Sequence, residues 1–184
     1  MASLVKARLR RTLKERLKRL SKGERVRKSR RIQQALFRRE FFRNAETILF
    51  YASLPSEVDT WPMMEQALKM RKRILIPSMQ SGRIVPSEVR NPKKDLRRGS
   101  YGIFEPKGRS SRPVKPDEID LVLVPGIGFD KRGFRLGRGG GHYDRFLKRL
   151  KGRVPVVGLA FKVQRVQRIP AASHDIPVDD VICA

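Results

Sequence analysis

The chain has 184 residues, 39% of them hydrophobic and 33% charged, enough apolar material for one core and too much for a disordered polypeptide. Its single cysteine, Cys183, excludes an internal disulfide framework and a cysteine-built zinc site. No apolar run approaches the roughly 20 residues of a membrane span, and no apolar stretch follows the basic N-terminus to make a secretory signal. The expectation is one domain over residues 1–184, soluble, cytoplasmic and monomeric.

Taken in chain order, Val5, Leu9, Leu13, Leu17 and Leu20 recur every three or four residues and predict an amphipathic helix. Ser21-Lys22-Gly23-Glu24 reads as a capping box opening a second helix. Ile32, Leu36 and Phe37 supply its apolar side, and it is expected to run to about Asn44. Residues 48–52 form a short run of buried-strand type, followed by the turn Leu54-Pro55-Ser56-Glu57. Asp59 or Thr60 caps a helix over residues 61–71, with Pro62 in its first turn.

Ile74 through Pro77 predicts a second strand, and Ile84-Val85 with Val89 a third. Residues 91–116, rich in Pro, Gly, Ser and Arg, read as a long loop or insertion outside the core. Leu121 through Pro125 is the clearest strand, continuous and β-branched. A glycine-rich loop follows, then a helix near 140–150, a strand at 154–160 and a last short strand at Val181-Ile182. No internal repeat is visible. Apolar strands alternating with helices predict a mainly parallel α/β sheet covered on both faces. Such sheets bind ligands at the carboxyl ends of their strands, where loops 53–59 and 125–144 are expected.

Lys and Arg number 43 against 18 Asp and Glu, a formal charge of +25, which first suggests a polyanionic partner. Residues 1–45 hold 17 basic and 3 acidic side chains, and residues 90–115 hold 9 and 2. Most of the excess therefore flanks the apolar segments. A solvated basic surface and an RNA- or ribosome-associated module remain alternatives by charge alone. The aromatic stacking platforms of nucleic-acid binders are represented only by Phe37, Phe41 and Phe42, at core-like spacing. Nucleic acid is accordingly expected to bind only non-specifically, through the basic surface.

The informative stretch is Gly126 through Asp130 and Leu136 through Asp144. Four glycines within the five residues Gly137 to Gly141 permit close backbone approach. At a helix start their amides form a concave anion site aided by the helix dipole, and Arg135 and Arg138 suit phosphate oxygens. The loop is not a P-loop, because no Lys-Ser/Thr pair follows, nor a dinucleotide fingerprint, because Lys131 stands where the third glycine belongs. Asp144, beyond the loop, is a candidate for Mg2+ bridging phosphates, and Asp179 is a second metal candidate. His174-Asp175 and Glu57 are further candidates, weighed against incidental surface placement.

Lys6-Ala7-Arg8-Leu9-Arg10, Tyr51 through Thr60, Tyr101 through Pro106, Val124 through Arg145, and His174 through Asp179 occur in that order. With these motifs the chain resembles, over essentially its whole length, the 5-formyltetrahydrofolate cyclo-ligases, also called 5,10-methenyltetrahydrofolate synthetases. The resemblance implies a three-layer α/β/α sandwich. It also implies ATP- and Mg2+-dependent closure of 5-formyltetrahydrofolate to 5,10-methenyltetrahydrofolate, with release of ADP and phosphate.

By the same resemblance, Lys6 and Arg10 reach the ATP phosphates from the first helix. Arg135, Gly137, Arg138, Gly139, Gly140, Gly141, His142 and Tyr143 form the ATP loop, with Arg138 through His142 also touching the folate. Glu57 anchors the folate, Tyr101 packs on it, Asp144 and Asp179 serve Mg2+, and Lys6 and Arg138 act in catalysis. One departure stands out: the family commonly shows Tyr-Tyr-Asp where this chain has His142-Tyr143-Asp144. The implied chemistry suits the residue types, because phosphoryl transfer needs positioning and charge neutralisation more than a protein nucleophile. Lys6 and Arg10, four apart, project from one helix face.

Overall fold

The computed structural model describes residues 2–99, 102–108, 112–150 and 154–184. Helices α1 (Ala2–Lys18) and α2 (Lys22–Phe37) are separated by the expected capping box. The Glu24 N–H donates to the Ser21 hydroxyl and the Ser21 N–H to the Glu24 carboxylate, so two otherwise orphaned amides are satisfied. The second helix does not continue to Asn44; it stops at Phe37, and a short α3 (Glu40–Asn44) follows. The break brings Phe42 against Phe37, ring centroids 4.2 Å apart. An unbroken helix would point residues five apart to different faces.

Strand β1 (Thr47–Leu49) leads through a buried segment to α4 (Trp61–Lys69), and then to β2 (Arg73–Gln80) and β3 (Arg83–Val89). Ser81 and Gly82 join the last two with φ of 46° and 74°, as a two-residue hairpin requires. Residues 91–116, expected as a long loop or insertion outside the core, carry regular elements. They contain α5 (Pro92–Asp95) and an antiparallel ribbon of β4 (Leu96–Arg98) and β5 (Phe104–Pro106). Two apolar anchors hold the ribbon: Leu96 is buried, and Phe104 meets the Trp61 ring edge-on at 5.0 Å.

The remaining elements are β6 (Leu121–Val124), a small hairpin of β7 (Gly128–Phe129) and β8 (Arg135–Leu136), α6 (His142–Leu150), β9 (Val156–Ala160) and β10 (Asp180–Cys183). The central sheet has six strands in the order β10-β9-β6-β1-β2-β3. Its neighbours are parallel except for the edge pair β2 and β3.

Side chains alternate across this sheet, so each strand feeds two cores. Ile48, Ile74 and Leu123 pack with Ile32 of α2, Phe42 of α3 and Met63 of α4. Leu49, Leu75 and Val122 pack on the other face with Phe146, Leu147 and Leu150 of α6. This is the three-layer α/β/α sandwich with a mainly parallel sheet. Among the described residues, no helix is long and apolar enough to cross a membrane.

Helix α1 joins neither layer along its first half. Leu13 packs with Ile127, Leu136 and Ile169 in a separate cluster, laying α1 over the loops beyond the carboxyl ends of β6 and β9. Those ends matter for a topological reason. From β1 the chain proceeds outward to β2 and β3, and from β6 outward the opposite way to β9 and β10, yet β1 and β6 are neighbours. Loops that diverge from adjacent strands leave a crevice between them, the usual ligand position in such sheets.

Candidate active site

Both loops singled out from the sequence open onto that crevice. The loop after β1 turns at Leu54–Glu57, where the Glu57 N–H donates to the Leu54 carbonyl at 2.9 Å and the Leu54 N–H to the Glu57 carboxylate at 2.9 Å. The loop after β6 passes through the β7–β8 hairpin before reaching the glycines and α6. Gln164 pins its beginning: the buried amide donates to the Gly126 carbonyl and accepts from the Phe161 N–H, both at 2.7 Å. Nothing in the sequence around Gln164 signals that role.

Gly139 and Gly141 adopt φ of 114° and 62°, backbone open chiefly to glycine. Among the described residues, no backbone N–H from Gly137 through Gly141 donates a hydrogen bond within the protein. Helix α6 starts at once at His142, and a helix start offers further unpaired amides and the positive end of the dipole. A row of unengaged amides at a helix start is a receptor for an anion.

Cations surround it. The Arg10 Nε donates to the Gly137 carbonyl at 2.9 Å, which lays α1 against the loop. One helical turn earlier on the same face, the Lys6 ammonium donates to the Asp175 carboxylate at 2.5 Å. Arg135, whose side chain is 3% exposed, donates to Asp144 Oδ1 at 2.9 Å and lies 5.6 Å from the centre of the Tyr143 ring. Its Nη1 is buried without a partner, an orphaned donor of a kind that a ligand oxygen satisfies. Arg138 reaches across the crevice to Glu57 Oε1 at 2.9 Å. Burial pushes the Tyr143 phenol above its ordinary value, outweighing the opposing pull of Arg135, so the phenol stays protonated.

His142 stands 3.2 Å from the Gly82 carbonyl and 2.9 Å from Arg145 Nη2 through the same Nδ1. Arginine is an obligate donor, so Nδ1 accepts from Arg145 and makes no hydrogen bond to the Gly82 carbonyl. Arg145 Nη2 also donates to the Gly82 carbonyl at 3.4 Å and so ties the start of α6 to the β2–β3 hairpin, a contact no sequence spacing indicated.

Lys6, Arg10, Glu57, Arg135, Arg138, the loop glycines, His142, Tyr143 and Asp144 are thus brought to one crevice. Asp179 is not, and its expected pairing with Asp144 is corrected here. Its carboxylate accepts from the Val156 N–H at 2.7 Å and its own N–H donates to the Val156 carbonyl at 2.8 Å. Val156 opens β9, so Asp179 is fastened at the amino end of the strands, away from the loops. Tyr101 lies outside the described residues. His174 is 73% exposed and 3.8 Å from Asp175, which engages Lys6 instead.

Asp144 Oδ1 accepts from both Arg135 and the Ile176 N–H, the latter at 3.2 Å; its Oδ2 has no hydrogen-bond partner among the described residues. These residues also hold no cluster of three or more His, Cys, Asp or Glu side chains placed for a metal. One available carboxylate oxygen beside an anion receptor fits Mg2+, which takes one or two carboxylates and completes its shell with phosphate and water.

A model of the 5-formyltetrahydrofolate cyclo-ligase family matches residues 2–184. The 5-formyltetrahydrofolate cyclo-ligase of Mus musculus is 35% identical over 184 residues, 95% of this chain and 91% of the relative. That of Escherichia coli strain K12 is 33% identical over 143 residues, 75% of this chain and 78% of the relative. The solution structure of Aquifex aeolicus 5,10-methenyltetrahydrofolate synthetase superposes with a TM-score of 0.85 at 34% identity, covering 97% of this chain and 89% of that one.

Proposed function

The chain belongs to the 5-formyltetrahydrofolate cyclo-ligase family, and from that premise we propose that it closes 5-formyltetrahydrofolate to 5,10-methenyltetrahydrofolate at the expense of ATP. The observation that carries the proposal is the row of unengaged amides from Gly137 to Gly141, bounded by Arg10, Arg135 and Arg138 and facing Glu57 across the crevice. The whole chain, residues 1–184, acts as one catalytic domain.

The formyl oxygen of the substrate is amide-like and leaves poorly as it stands. Taking the γ-phosphoryl group of ATP turns it into phosphate, a good leaving group, and releases ADP. N10 then bonds to the formyl carbon and loses its proton, the carbon–oxygen bond breaks, and inorganic phosphate departs. The oxygen of the phosphate thus includes the former formyl oxygen, and no protein nucleophile is needed.

The chain's own residues perform the positioning. The loop amides and Arg135 hold the phosphate chain, and Lys6 and Arg10 approach it from α1. Arg138, between the two loops, neutralises charge growing on the transferred group and is the catalytic cation together with Lys6. Glu57 accepts N–H donors of the pterin, Tyr101 packs on the ring, and His142 with the loop glycines borders the folate. Asp144 would hold Mg2+ through Oδ2, and bound there the ion supplies neutralisation of β- and γ-phosphate charge.

Purified protein mixed with 5-formyltetrahydrofolate, ATP and Mg2+ should gain the near-ultraviolet absorbance of the methenyl product. Folded protein that gives no gain ends the proposal.

A further inference from the structure

Thr60 stands at the start of α4, where a threonine hydroxyl ordinarily accepts from a helix amide, yet its side chain makes no such cap. The residue is fully buried, and its hydroxyl turns the other way, toward the chain leaving β1. It donates to the Tyr51 carbonyl at 2.5 Å, and its oxygen accepts from the Ser53 N–H at 3.2 Å. The Thr60 N–H returns the bond, donating to the Ser53 hydroxyl at 3.1 Å. A hydroxyl carries one proton and two lone pairs, so a single side chain satisfies a buried donor and a buried acceptor of the segment after β1.

These bonds close the base of the loop 53–60, and Glu57 lies toward its tip. There the Leu54 N–H holds Glu57 Oε2 and Arg138 reaches Oε1. Between base and tip the loop is braced from within. The buried Tyr51 hydroxyl donates to the Val58 carbonyl at 3.4 Å, and the Trp61 indole donates to the Ser53 carbonyl at 3.2 Å. Arg25 Nη1 bonds the Pro55 carbonyl and the Asp59 N–H bonds the Ser29 hydroxyl, which docks the loop on α2. The α2 contacts hold the loop to a helix; the Ser53–Thr60 pair sets it against the end of β1, beside the crevice.

We infer that Thr60 is a positioning residue: its buried hydroxyl closes the base of the loop that carries Glu57, and so fixes where the Glu57 carboxylate stands to receive the folate. The inference rests on the cyclo-ligase reading for the identity of that ligand. Thr60 is fully buried and touches no substrate, so its effect passes through Glu57.

The test is a kinetic cycle on the full chain with T60V, E57A and the double variant. Appearance of methenyl product with the wild type checks the cyclo-ligase reading by itself; a wild type that forms none ends both. T60V keeps the branched shape and loses the hydroxyl. It is expected to lower kcat/KM for 5-formyltetrahydrofolate about tenfold, the upper scale of one hydrogen bond, with the KM for ATP unchanged. In the E57A background the same substitution should change nothing further, because its target is gone. T60S, which keeps the hydroxyl, should recover most of the loss.

With an active wild type, an unchanged folate kcat/KM in folded T60V overturns the inference alone. So does a matching rise in the KM for ATP, or effects that simply add in the double variant. If T60V fails to fold, the cycle is run with S53A, which removes the other half of the reciprocal pair. A fall in folate kcat/KM that vanishes in the E57A background then supports the inference, and no fall, or one that persists there, overturns it.

Discussion

The Arg138 guanidinium and the Glu57 carboxylate lie 81 residues apart in sequence and 2.9 Å apart in space. Each belongs to a loop leaving one of the two adjacent central strands, so the ion pair bridges the point where the sheet's connections part. Arg138 is 53% exposed, and an exposed pair of this kind contributes at most about 1 kcal/mol to stability. Its location, more than its strength, gives it meaning.

R138A is accordingly expected to unfold within about 4 °C of the wild type, while kcat/KM falls at least about a hundredfold, the usual cost of removing a charge-stabilising donor. Thermal unfolding and product absorbance measured on the same preparations decide it. Activity and stability declining in step would make Arg138 part of the scaffold.

Arg135 should behave differently. It is paired with Asp144 and almost wholly buried, and removing one member of a buried pair costs about 3–5 kcal/mol. R135A should therefore unfold well below R138A in urea. D144N leaves the buried Arg135 charge uncompensated and should also lower nucleotide-free stability, and beyond that it is expected to lose most of the extra stabilisation that ATP with Mg2+ confers. That stabilisation is about 2.7 kcal/mol at a hundredfold excess over Kd. An equal ATP–Mg2+ thermal shift in wild type and D144N would remove Asp144 from the metal assignment.

Asp130 provides a pH prediction. It is fully buried and accepts from the Arg132, Phe134 and Ile169 amides and from the Arg132 side chain. Burial raises its carboxyl, yet these donors outweigh it and the group sits below its ordinary value. A folded value below the unfolded one means that the contribution is complete above an unfolded carboxyl of about 4 and is lost as pH falls through the folded value. D130N should lose about 2 kcal/mol at pH 7 and show a flatter decline in acid. Urea titrations across the acid range measure it, and parallel curves for the two proteins would contradict it.

The formal charge of +25 implies steering of anionic ATP and folate, because α1 carries exposed Arg8, Arg11 and Arg16, with exposed Arg19 just past its end. Raising ionic strength shortens the Debye length to about 10 Å at 0.1 M salt and less beyond it. The expected outcome is a fall in kcat/KM of about tenfold between low and moderate salt, blunted in the double variant R11E/R16E. A rate indifferent to salt would leave the charge without a kinetic role.

Much of this was legible beforehand, for reasons that differ by element. The row Leu9–Leu13–Leu17 carries an unmistakable period, Leu121–Val124 is an unbroken apolar run, and Ser21 with Glu24 announces a helix start by its own chemistry. The ribbon at 96–106 was hidden because its anchors are single residues, Leu96 and Phe104, among many charges. The break between α2 and α3 was hidden because Arg38 and Arg39 are ordinary helix formers and only tertiary packing of Phe42 ends the helix.

At the site, the glycine loop was visible because its parts are contiguous. The partner of Lys6 was not, since Asp175 lies 169 residues away and no spacing rule spans that. Asp179 was misplaced for a related reason. Adjacency to a functional motif says nothing about which end of a strand a residue occupies, and each extended residue advances the chain about 3.3 Å.

The placement of α1 has a practical corollary for anyone handling this protein. Lys6 and Arg10 come from the first half of α1, whereas among the described residues both cores on the sheet draw nothing from before Leu17. A proteolytic cut within α1 that removes Arg10 would leave a cooperatively melting sample that had silently lost its turnover. Preparations are best judged by intact mass before any rate is compared.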